Sequence, residues 1–129
     1  MDDPRPAPAP GPLTAPYWEA ARSGELALQH CAGCGRIVHF PEPACPFCGG
    51  TELPYRAVSG EGIVHTHTEV HRTFLPGFAT PYTLAWIDLP EGARVFGDVT
   101  GAVHIGQRVR VHFPVRAGFG PIPSWRPVP

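Results

Sequence analysis

Four cysteines are the residues whose type and spacing most directly indicate chemistry in this chain. They form two Cys-x-x-Cys pairs, Cys31 with Cys34 and Cys45 with Cys48, and ten residues separate the pairs. Two residues between cysteines let both sulfurs turn toward one point, and two such turns facing each other form the tetrahedral four-sulfur cage that zinc prefers. The spacing therefore predicts a structural Zn²⁺ held by all four cysteines.

Other interpretations of the same cysteines carry less weight. Iron fits the same four-sulfur geometry, so the spacing leaves zinc and iron open. Two disulfides are disfavoured because the chain begins Met1-Asp2-Asp3, without a basic start or an apolar signal segment, which predicts a cytoplasmic location. A redox-active pair is disfavoured because such motifs usually occur singly. A closed four-sulfur site leaves no position for water or substrate, so the predicted metal is not catalytic.

The residues around the cysteines fit tight turns. Gly35 and Gly49 directly follow the two pairs. Both can adopt positive φ there, and their small size lets backbone N–H groups approach the thiolates. His30 and His39 lie close to the cysteines in sequence. Because four thiolates complete the ligand set, we expect the two histidines to lie beside the metal and not to bind it.

The composition limits what else the chain can do. Its 129 residues allow one domain or two small ones, and a hydrophobic content of 43% supports a real core. A net charge of −1 gives no overall attraction to nucleic acid or to anionic lipid. No apolar run approaches the ~18 residues of a membrane span. All ten basic residues are arginine, so Schiff-base chemistry on a lysine and a P-loop lysine are both excluded.

The chain divides into three predicted parts. Residues 1–13 are predicted to be a Pro/Ala-rich linker or a disordered tail, because their prolines favour polyproline II and bury little. Residues 14–53 are predicted to hold a short helix, capped by Thr14 and ended at Gly24, and then the zinc ribbon. Short alternating runs over residues 54–129 predict an OB-fold.

Five β runs, joined by turns rich in glycine and proline, are predicted in this last part. The runs are Tyr55–Val58 continuing through Gly62–Arg72, then Tyr82–Leu89, Arg94–Thr100, Gln107–Val115 and Ile122–Val128. Gly60 and Gly62 suit the bend that a closed barrel needs. The fold class is therefore predicted as mainly β, with a short N-terminal helix, a rubredoxin-like zinc ribbon and a C-terminal five-stranded OB-fold barrel.

Alternation along the first long strand predicts which side chains share a face. The two predicted faces are Val64, Thr66 and Thr68 on one side and His65, His67 and Glu69 on the other. Because His65 and His67 would then point the same way, a catalytic metal site completed by His71 is one hypothesis. Solvated surface histidines are the simpler interpretation.

The connector of eleven residues, 71–81, carries more large apolar side chains than a surface loop normally does. Phe74, Leu75 and Phe78 are predicted either to fold back over the barrel mouth or to meet a partner. A helix of about seven residues is not stable alone, so Tyr17 and Trp18 are predicted to pack either on their own domain or on a partner.

The order of these parts resembles a known family. It runs through Tyr17-Trp18-Glu19-Ala20-Ala21-Arg22-Ser23-Gly24-Glu25-Leu26, Leu28-Gln29-His30-Cys31, the two cysteine pairs, Gly60-x-Gly62-x-Val64, Pro81-Tyr82-Thr83-Leu84-Ala85, Leu89-Pro90-Glu91-Gly92, Ile105-Gly106-x-x-Val109 and Phe113. From about residue 15 to the C-terminus, the chain is similar to the acyl-CoA-associated zinc-ribbon/OB-fold family. The two cysteine pairs and the barrel motifs together are fairly specific for this family.

The resemblance implies a small subunit or domain that is not an enzyme alone. Members of the family pair with thiolase-fold enzymes, including thiolases and the retro-aldolases of steroid side-chain degradation, and are thought to stabilise the partner and to help hold the CoA ester. In some members the domain is fused to an enoyl-CoA hydratase, and the Pro/Ala-rich stretch is similar to such a junction. The resemblance thus implies a hetero-oligomer with a thiolase-fold enzyme, with acyl-CoA as a candidate ligand.

A bound CoA ester would need cations for its phosphates. Arg72, Arg116 and Arg126 lie in or beside the long loops and are the candidates, although solvated surface arginines are the simpler interpretation. The apolar part of the ester would prefer the loop of Phe74, Leu75 and Phe78 or the helix with Tyr17 and Trp18.

A single-stranded nucleic-acid-binding protein is the alternative from another class, because zinc ribbons and OB barrels both occur in such proteins. Arg108 and Arg110 on one strand face, with Phe113 nearby, could follow a phosphate backbone. The slightly negative net charge argues against this alternative.

Overall fold

The computed structural model describes residues 3–129 and has one short helix among strands. The helix α1 spans Ala15–Arg22. The strands in chain order are β1 (Ala27–His30), β2 (Ile37–Val38), β3 (Tyr55–Ala57), β4 (Glu61–Val70), β5 (Tyr82–Asp88), β6 (Arg94–Val99), β7 (Arg108–His112), β8 (Val115–Arg116), β9 (Gly120–Pro121) and β10 (Ser124–Pro127). The single α-helix in the described part of the chain is eight residues long and too short to cross a membrane.

The strands form three groups. β2, β1 and β3 make a small sheet, β8 pairs with β9, and a closed barrel has the order β10-β6-β5-β4-β7. In the barrel, β10 and β6 run parallel through the pair Trp125 and Val99, and the other pairings are antiparallel. The predicted five-stranded C-terminal barrel is confirmed.

The barrel core is built around Trp125, the largest fully buried side chain. Gly97 on the neighbouring β6 makes room for it, because a Cβ at this position would lie 2.9 Å from Cδ1 of the indole. Nine other buried apolar residues complete the cluster: Leu26, Leu28, Val64, Ala85, Ile87, Leu89, Val95, Val99 and Val109. Two of these, Leu26 and Leu28, lie in or beside β1 of the ribbon, so the ribbon and the barrel share one core.

The first predicted β run is divided, and its predicted continuity is wrong. Tyr55–Ala57 forms β3, which pairs with β1 of the ribbon sheet, and the barrel strand β4 begins only at Glu61. The break falls at Gly60, which has φ of +75° and sits where a Cβ would lie 2.6 Å from Cγ1 of Val111. The bend predicted at this glycine is confirmed, because an L side chain fits neither the φ nor the space.

A β-bulge in β4 changes the faces predicted for this strand. Val64 pairs with Ile87 on β5, but Thr66 pairs with the next residue, Trp86, so β4 contains one extra residue at His65. A bulge of this kind leaves the extra residue unpaired and shifts the alternation of all side chains beyond it.

The predicted faces are therefore wrong beyond the bulge. His67 pairs with Ala85, which is buried in the core, so His67 lies on the interior side of the barrel with Val64. Thr66, predicted beside Val64, lies on the outer side. His65 and His67, predicted on one face, do not share a face.

Helix α1 ends as predicted and begins differently. Gly24 has φ of +73°, its N–H donates to the Ala21 carbonyl, and the Glu25 N–H donates to the Ala20 carbonyl. These two bonds form a Schellman motif, so the predicted glycine terminator is confirmed. Thr14 occupies the N-cap position, but its side chain makes no capping hydrogen bond, and that part of the prediction is wrong.

Candidate metal centre and contact surfaces

The four cysteines meet at one point between the two turns. Their Sγ atoms all lie within 4.8 Å of one another. The Sγ atoms of Cys31 and Cys48 are 3.5 Å apart, and those of Cys34 and Cys45 are 3.7 Å apart. A tetrahedron with zinc–sulfur bonds of about 2.3 Å has sulfur–sulfur edges of about 3.8 Å. The donor set and the spacing of the sulfurs therefore fit a tetrahedral thiolate site.

The two cysteine turns have the same backbone geometry. Gly35 and Gly49 have φ of +77° and +79°. The Gly35 N–H donates to the Cys31 carbonyl at 2.8 Å, and the Gly49 N–H donates to the Cys45 carbonyl at the same distance. The predicted positive φ at both glycines is confirmed. Each turn thus closes on its own hydrogen bond and presents two sulfurs to the same side.

Close approach to the sulfurs depends on a different glycine than predicted. A Cβ at Gly35 or at Gly49 would meet no other atom within 4 Å. A Cβ at Gly50 would lie 3.3 Å from the Cys48 sulfur, which is a tight contact. The Phe47 N–H approaches the Cys45 sulfur at 3.4 Å. Gly50 therefore supplies the space that the sequence analysis assigned to the glycines after each pair.

The crowded sulfurs have strongly different acidities. A hydrogen bond from the Cys34 backbone, together with that from Gly33, lowers the pKa of Cys31 to about 7. The Gly50 backbone N–H also lowers the pKa of Cys48, but hydrogen bonding to Cys31 and burial outweigh it and raise this pKa to about 11. Adjacent thiolates repel unless a cation neutralises them, so the cluster fits a thiophilic dication.

The two histidines beside the cysteines have other contacts. His30 Nδ1 lies 2.9 Å from the Leu28 carbonyl. His39 packs against the Phe40 ring with 4.6 Å between centroids, and burial lowers its pKa. Within residues 3–129, the metal-binding group consists of the four cysteines. The expectation that both histidines stay off the metal agrees with this arrangement.

The hypothesis of a catalytic site at His65, His67 and His71 is wrong. The bulge places the first two on opposite faces of β4. His65 Nδ1 instead lies 3.4 Å from a carboxylate oxygen of Asp88, and His71 Nε2 lies 3.8 Å from one of Glu69. In the described residues, these histidines do not belong to a cluster of metal-binding side chains.

The 71–81 loop divides its apolar side chains between two roles. Phe78 folds back, with its ring 5.3 Å from the Tyr82 ring. Phe74 and Leu75 stay in solvent, with 69% and 53% of their surfaces exposed. The Arg72 guanidinium lies 5.7 Å from the Phe74 centroid, so this loop presents an apolar pair beside a cation.

The helix aromatics pack within the chain itself. Tyr17 packs against the barrel core, and its burial raises its pKa to about 12, with a smaller contribution from Tyr55. The Trp18 ring meets the Phe119 ring edge-on, with 5.2 Å between centroids. The short helix is therefore stabilised by packing within its own chain, although it is too short to be stable alone.

Two of the three candidate arginines face solvent. Arg72 and Arg126 are exposed, whereas Arg116 is only 8% exposed. The Arg116 Nη1 donates to the Pro6 carbonyl at 2.8 Å. Its guanidinium is thus committed to the N-terminal segment, while the other two are available to an anionic ligand.

An exposed aromatic cluster was missed by the sequence analysis. Trp86 on β5 pairs with Phe96 on β6, and their rings are 4.8 Å apart on the outer face of the barrel. Phe40 of the ribbon lies 6.1 Å from Trp86. Phe40 and Phe96 are 56% and 44% exposed. The neighbours of Trp86 depend on strand register and on the ribbon's placement, which residue alternation does not give.

A polar cavity at the barrel mouth was also missed. It has a volume of about 580 Å³ and lies between β4, β6 and the N-terminal segment. His67 and Glu69 line it because the bulge turned them inward, and Asp98 and Arg5 line it from β6 and the N-terminus. Without knowledge of the bulge, the sequence placed His67 and Glu69 on the face opposite Val64, which is wrong.

The surface proposed for nucleic acid has one of its two arginines paired with a carboxylate. Arg108 and Arg110 are both exposed on β7, but the Arg110 Nη2 binds a Glu61 carboxylate oxygen at 2.7 Å. Phe113 is partly buried and packs against the barrel core. The arrangement gives the nucleic-acid alternative no support.

Comparison with known proteins identifies a family with the same two parts in the same order. The family model for the rubredoxin-like zinc ribbon domain of ChsH2 matches residues 18–54, and the model for its C-terminal OB-fold domain matches residues 55–114. A solved structure described as "Ltp2-ChsH2(DUF35) aldolase" superimposes with a TM-score of 0.85 at 30% identity, over 94% of this chain and 98% of that one. This chain belongs to the ChsH2 zinc-ribbon/OB-fold family. The resemblance and the fold class inferred from the sequence are confirmed.

Curated relatives place similar chains in larger proteins. The 3-oxo-4,17-pregnadiene-20-carboxyl-CoA hydratase alpha subunit of Mycobacterium tuberculosis is 33% identical over 112 residues, which are 87% of this chain and 35% of that protein. The benzoylsuccinyl-CoA thiolase subunit BbsA of Thauera aromatica is 34% identical over 97 residues, 73% of this chain and 59% of that subunit. The chain spans about a third of the length of the hydratase relatives that it matches first.

Proposed function

We propose that this chain is a non-catalytic accessory subunit or domain of a thiolase-fold enzyme, a thiolase or retro-aldolase, that acts on acyl-CoA thioesters. The observation that carries the proposal is the match over nearly the full length of a chain described as part of an Ltp2-ChsH2 aldolase. The name of the Thauera aromatica relative, a thiolase subunit, supports the same class of partner. In this role the chain stabilises the enzyme and helps to hold the CoA ester.

The chemistry of the chain supports a non-catalytic role. Four thiolates fill a tetrahedral metal site and leave no position at which water could be activated. We propose that the ion is Zn²⁺ with a structural role, bound by Cys31, Cys34, Cys45 and Cys48. A cytoplasmic location belongs to the same proposal, because thiolate ligands survive in a reducing compartment.

The 71–81 loop is the part of the chain that we propose as the contact with the partner. Phe74 and Leu75 expose apolar surface that residues 3–129 leave uncovered, and large exposed apolar side chains commonly mark protein interfaces. Arg72 beside them and Arg126 on β10 are the proposed cations for the CoA phosphates. Tyr17, Trp18, Phe78 and Arg116 make internal contacts, and they stay in the proposal as secondary candidates for contact with the partner or the CoA ester.

The proposal also covers the partner's substrate, a neighbouring enzyme domain and the division of this chain into parts. A steroid CoA ester as the partner's substrate, and an enoyl-CoA hydratase domain fused or adjacent to this chain, are supported by the name and the greater length of the Mycobacterium tuberculosis relative. We also propose a division into a linker (1–13), the helix and ribbon (14–53) and the OB-fold (54–129). The disordered tail predicted as the alternative for residues 1–13 is wrong at Asp3–Pro6, which makes hydrogen bonds to β8 and to Arg116. The two family models meet at residues 54 and 55, while β3 pairs back onto the ribbon sheet.

Affinity capture tests the proposal. The tagged chain is expressed in the cells that make it, purified, and its co-purifying proteins are identified by mass spectrometry. We expect a thiolase-fold enzyme in stoichiometric amount, and one zinc per chain by metal analysis. A tagged variant with Phe74→Ala and Leu75→Ala serves as the matched control and should lose the enzyme but keep the zinc. Capture without any thiolase-fold enzyme would contradict the proposal.

A further inference from the structure

The N-terminal segment Asp3–Pro6 is joined to β8, in the β8–β9 sheet, by a backbone bridge at Asp3. The Asp3 N–H donates to the Val115 carbonyl at 2.9 Å, and the Ala117 N–H donates to the Asp3 carbonyl at 2.8 Å. These bonds make a parallel bridge between Asp3 and Arg116 on β8. The backbone N–H and C=O of Asp3 are therefore both satisfied by β8, which holds the start of the segment there.

A compact charge network fixes the side chains of this segment. The Arg5 guanidinium binds the Asp3 carboxylate through Nε at 2.8 Å and reaches an Asp98 carboxylate oxygen at 3.4 Å. The same Asp98 oxygen accepts the Ser124 hydroxyl at 2.9 Å. The Asp3 and Arg5 side chains are only 16% and 17% exposed, so water screens their attraction weakly.

Arg116 on β8 depends on the same segment for its polar contacts. It is among the few buried charged side chains, and its contacts include the Pro6 carbonyl at 2.8 Å and an Asp3 carboxylate oxygen at 3.7 Å from Nε. A buried guanidinium needs such partners, because an unpaired charge is costly away from water. Lifting the segment would leave Arg116 without these two contacts.

The segment also touches the 71–81 loop. A Cβ at Gly77 would lie 2.6 Å from the Pro4 carbonyl oxygen and 3.0 Å from the Arg5 Cα, so the two backbones are in direct contact. The Arg5 guanidinium lies 5.5 Å from the centroid of the Phe78 ring. One arginine therefore joins the loop, the N-terminus and the β6 carboxylate of Asp98.

We propose that Asp3–Pro6 is a strap that holds the 71–81 loop in one position and thereby presents Phe74 and Leu75. The strap contacts the loop at Gly77 and Phe78, directly after the segment that carries Phe74 and Leu75. A loop fixed in advance loses less conformational freedom when a partner binds it. The positioning role is a property of this chain alone; only the consequence for a partner rests on the proposed function.

Trypsin cleavage after Arg72 measures the position of the loop directly. Arg72 is exposed at the start of the loop, and the Arg5–Pro6 bond is not a trypsin site, so Arg5→Ala adds and removes no competing cut. In the intact, metal-loaded chain, we expect Arg5→Ala and Asp3→Ala each to raise the initial rate of cleavage after Arg72 at least tenfold. Arg110→Ala, which breaks the separate ion pair with Glu61, is the matched control and should leave the rate unchanged.

Each outcome of this experiment decides the proposal. A rate for both strap variants equal to that of the control, with zinc content and near-UV circular dichroism unchanged, would overturn the strap. An equal rise in the cleavage rate after all arginines, in both variants, would also overturn the strap. The charge network would then stabilise the whole barrel and not the 71–81 loop in particular. Capture of the thiolase-fold enzyme by Arg5→Ala is a separate measurement. Faster cleavage after Arg72 with undiminished capture of the enzyme would support the strap. It would contradict the proposal that this loop contacts the partner.

Discussion

The ribbon and the barrel of this chain are held together by different interactions. The buried cluster of the ribbon consists of Cys31, Val38 and Cys45, with Leu53 partly buried beside it. The barrel cluster contains ten buried apolar residues, Trp125 among them. A cluster as small as that of the ribbon cannot offset the entropy of ordering two turns and three short strands, whereas the barrel core can. The comparison indicates that the ribbon folds on its metal and the barrel on apolar burial.

The two regions nevertheless meet in one place. Leu26 and Leu28 come from the ribbon side of the chain and are buried in the barrel cluster. The Val58 N–H also donates to the Leu26 carbonyl at 2.8 Å. Unfolding of the ribbon would therefore remove Leu26 and Leu28 from the barrel core. A less stable barrel, in contrast, need not change the arrangement of the four cysteine sulfurs.

The largest effect should come from the metal ligands. Cys45→Ser removes one thiolate, and we expect the chain to lose its zinc and the ribbon to unfold, because apparent zinc binding in small fingers is on the order of 10–16 kcal/mol. Metal analysis and near-UV circular dichroism measure both changes. His30→Ala, which lies beside the cluster, is the control and should keep one zinc per chain. A Cys45→Ser chain with full zinc content would remove the basis of the comparison.

The next effect should come from the barrel core. Trp125→Ala leaves a large cavity, and we expect the free energy of unfolding to fall by about 3–5 kcal/mol. Urea denaturation measures the loss, and zinc content should stay at one per chain in native buffer. Trp86→Ala, on the outer face, provides the comparison and should cost clearly less. Equal losses for the two tryptophans would mean that the barrel core is not where its stability lies.

A surface change should affect neither region's stability. We expect Phe74→Ala combined with Leu75→Ala to weaken binding of the thiolase-fold partner by about 2 kcal/mol or more, because exposed apolar anchors dominate interfaces. Size-exclusion chromatography of the complex measures the loss. Phe47→Ala, also exposed but on the ribbon, is the control. If the control weakens the complex more than the loop variant, the interface is on the ribbon side.

The smallest effect should come from an exposed ion pair on the barrel. The Arg94 side chain, hydrogen-bonded to Asp88 at 2.6 Å, holds the pKa of that carboxyl below its usual value. A lowered folded-state pKa adds stability above the unfolded pKa of ~3.9 and loses it as the pH falls through the folded value. Both groups are about half exposed, so Arg94→Ala should cost under about 1 kcal/mol at neutral pH, and less at pH 3. A larger loss in urea denaturation, or one that grows at pH 3, would contradict this assignment.

The sequence predicted best where the structure is local. Both cysteine turns depend on a few neighbouring residues, and so their ligands and the positive φ at Gly35 and Gly49 followed from spacing alone. Gly24 ended the helix for the same reason. Five strands and their order of occurrence followed from alternation and turn residues, which are also local signals.

The sequence failed where one residue changes a long-range pairing. The bulge at His65 leaves no signal in the alternation, yet it reversed the faces of His67 and Glu69 and created the polar barrel mouth. The aromatic cluster required the register of β5 against β6. The strap required the contact of Arg5 with Asp98, 93 residues away in the chain. Such contacts are decided by packing of the whole fold and cannot be read from neighbours.

The central claim is that this chain supplies no reacting group and works on another protein's active site. The most direct test is to measure acyl-CoA turnover by the purified zinc-loaded chain, by the co-purified thiolase-fold enzyme, and by the two together. We predict no turnover by the chain alone, and higher activity or solubility of the enzyme when one equivalent of the chain is present. Conversion of a CoA thioester by the chain alone would contradict the account.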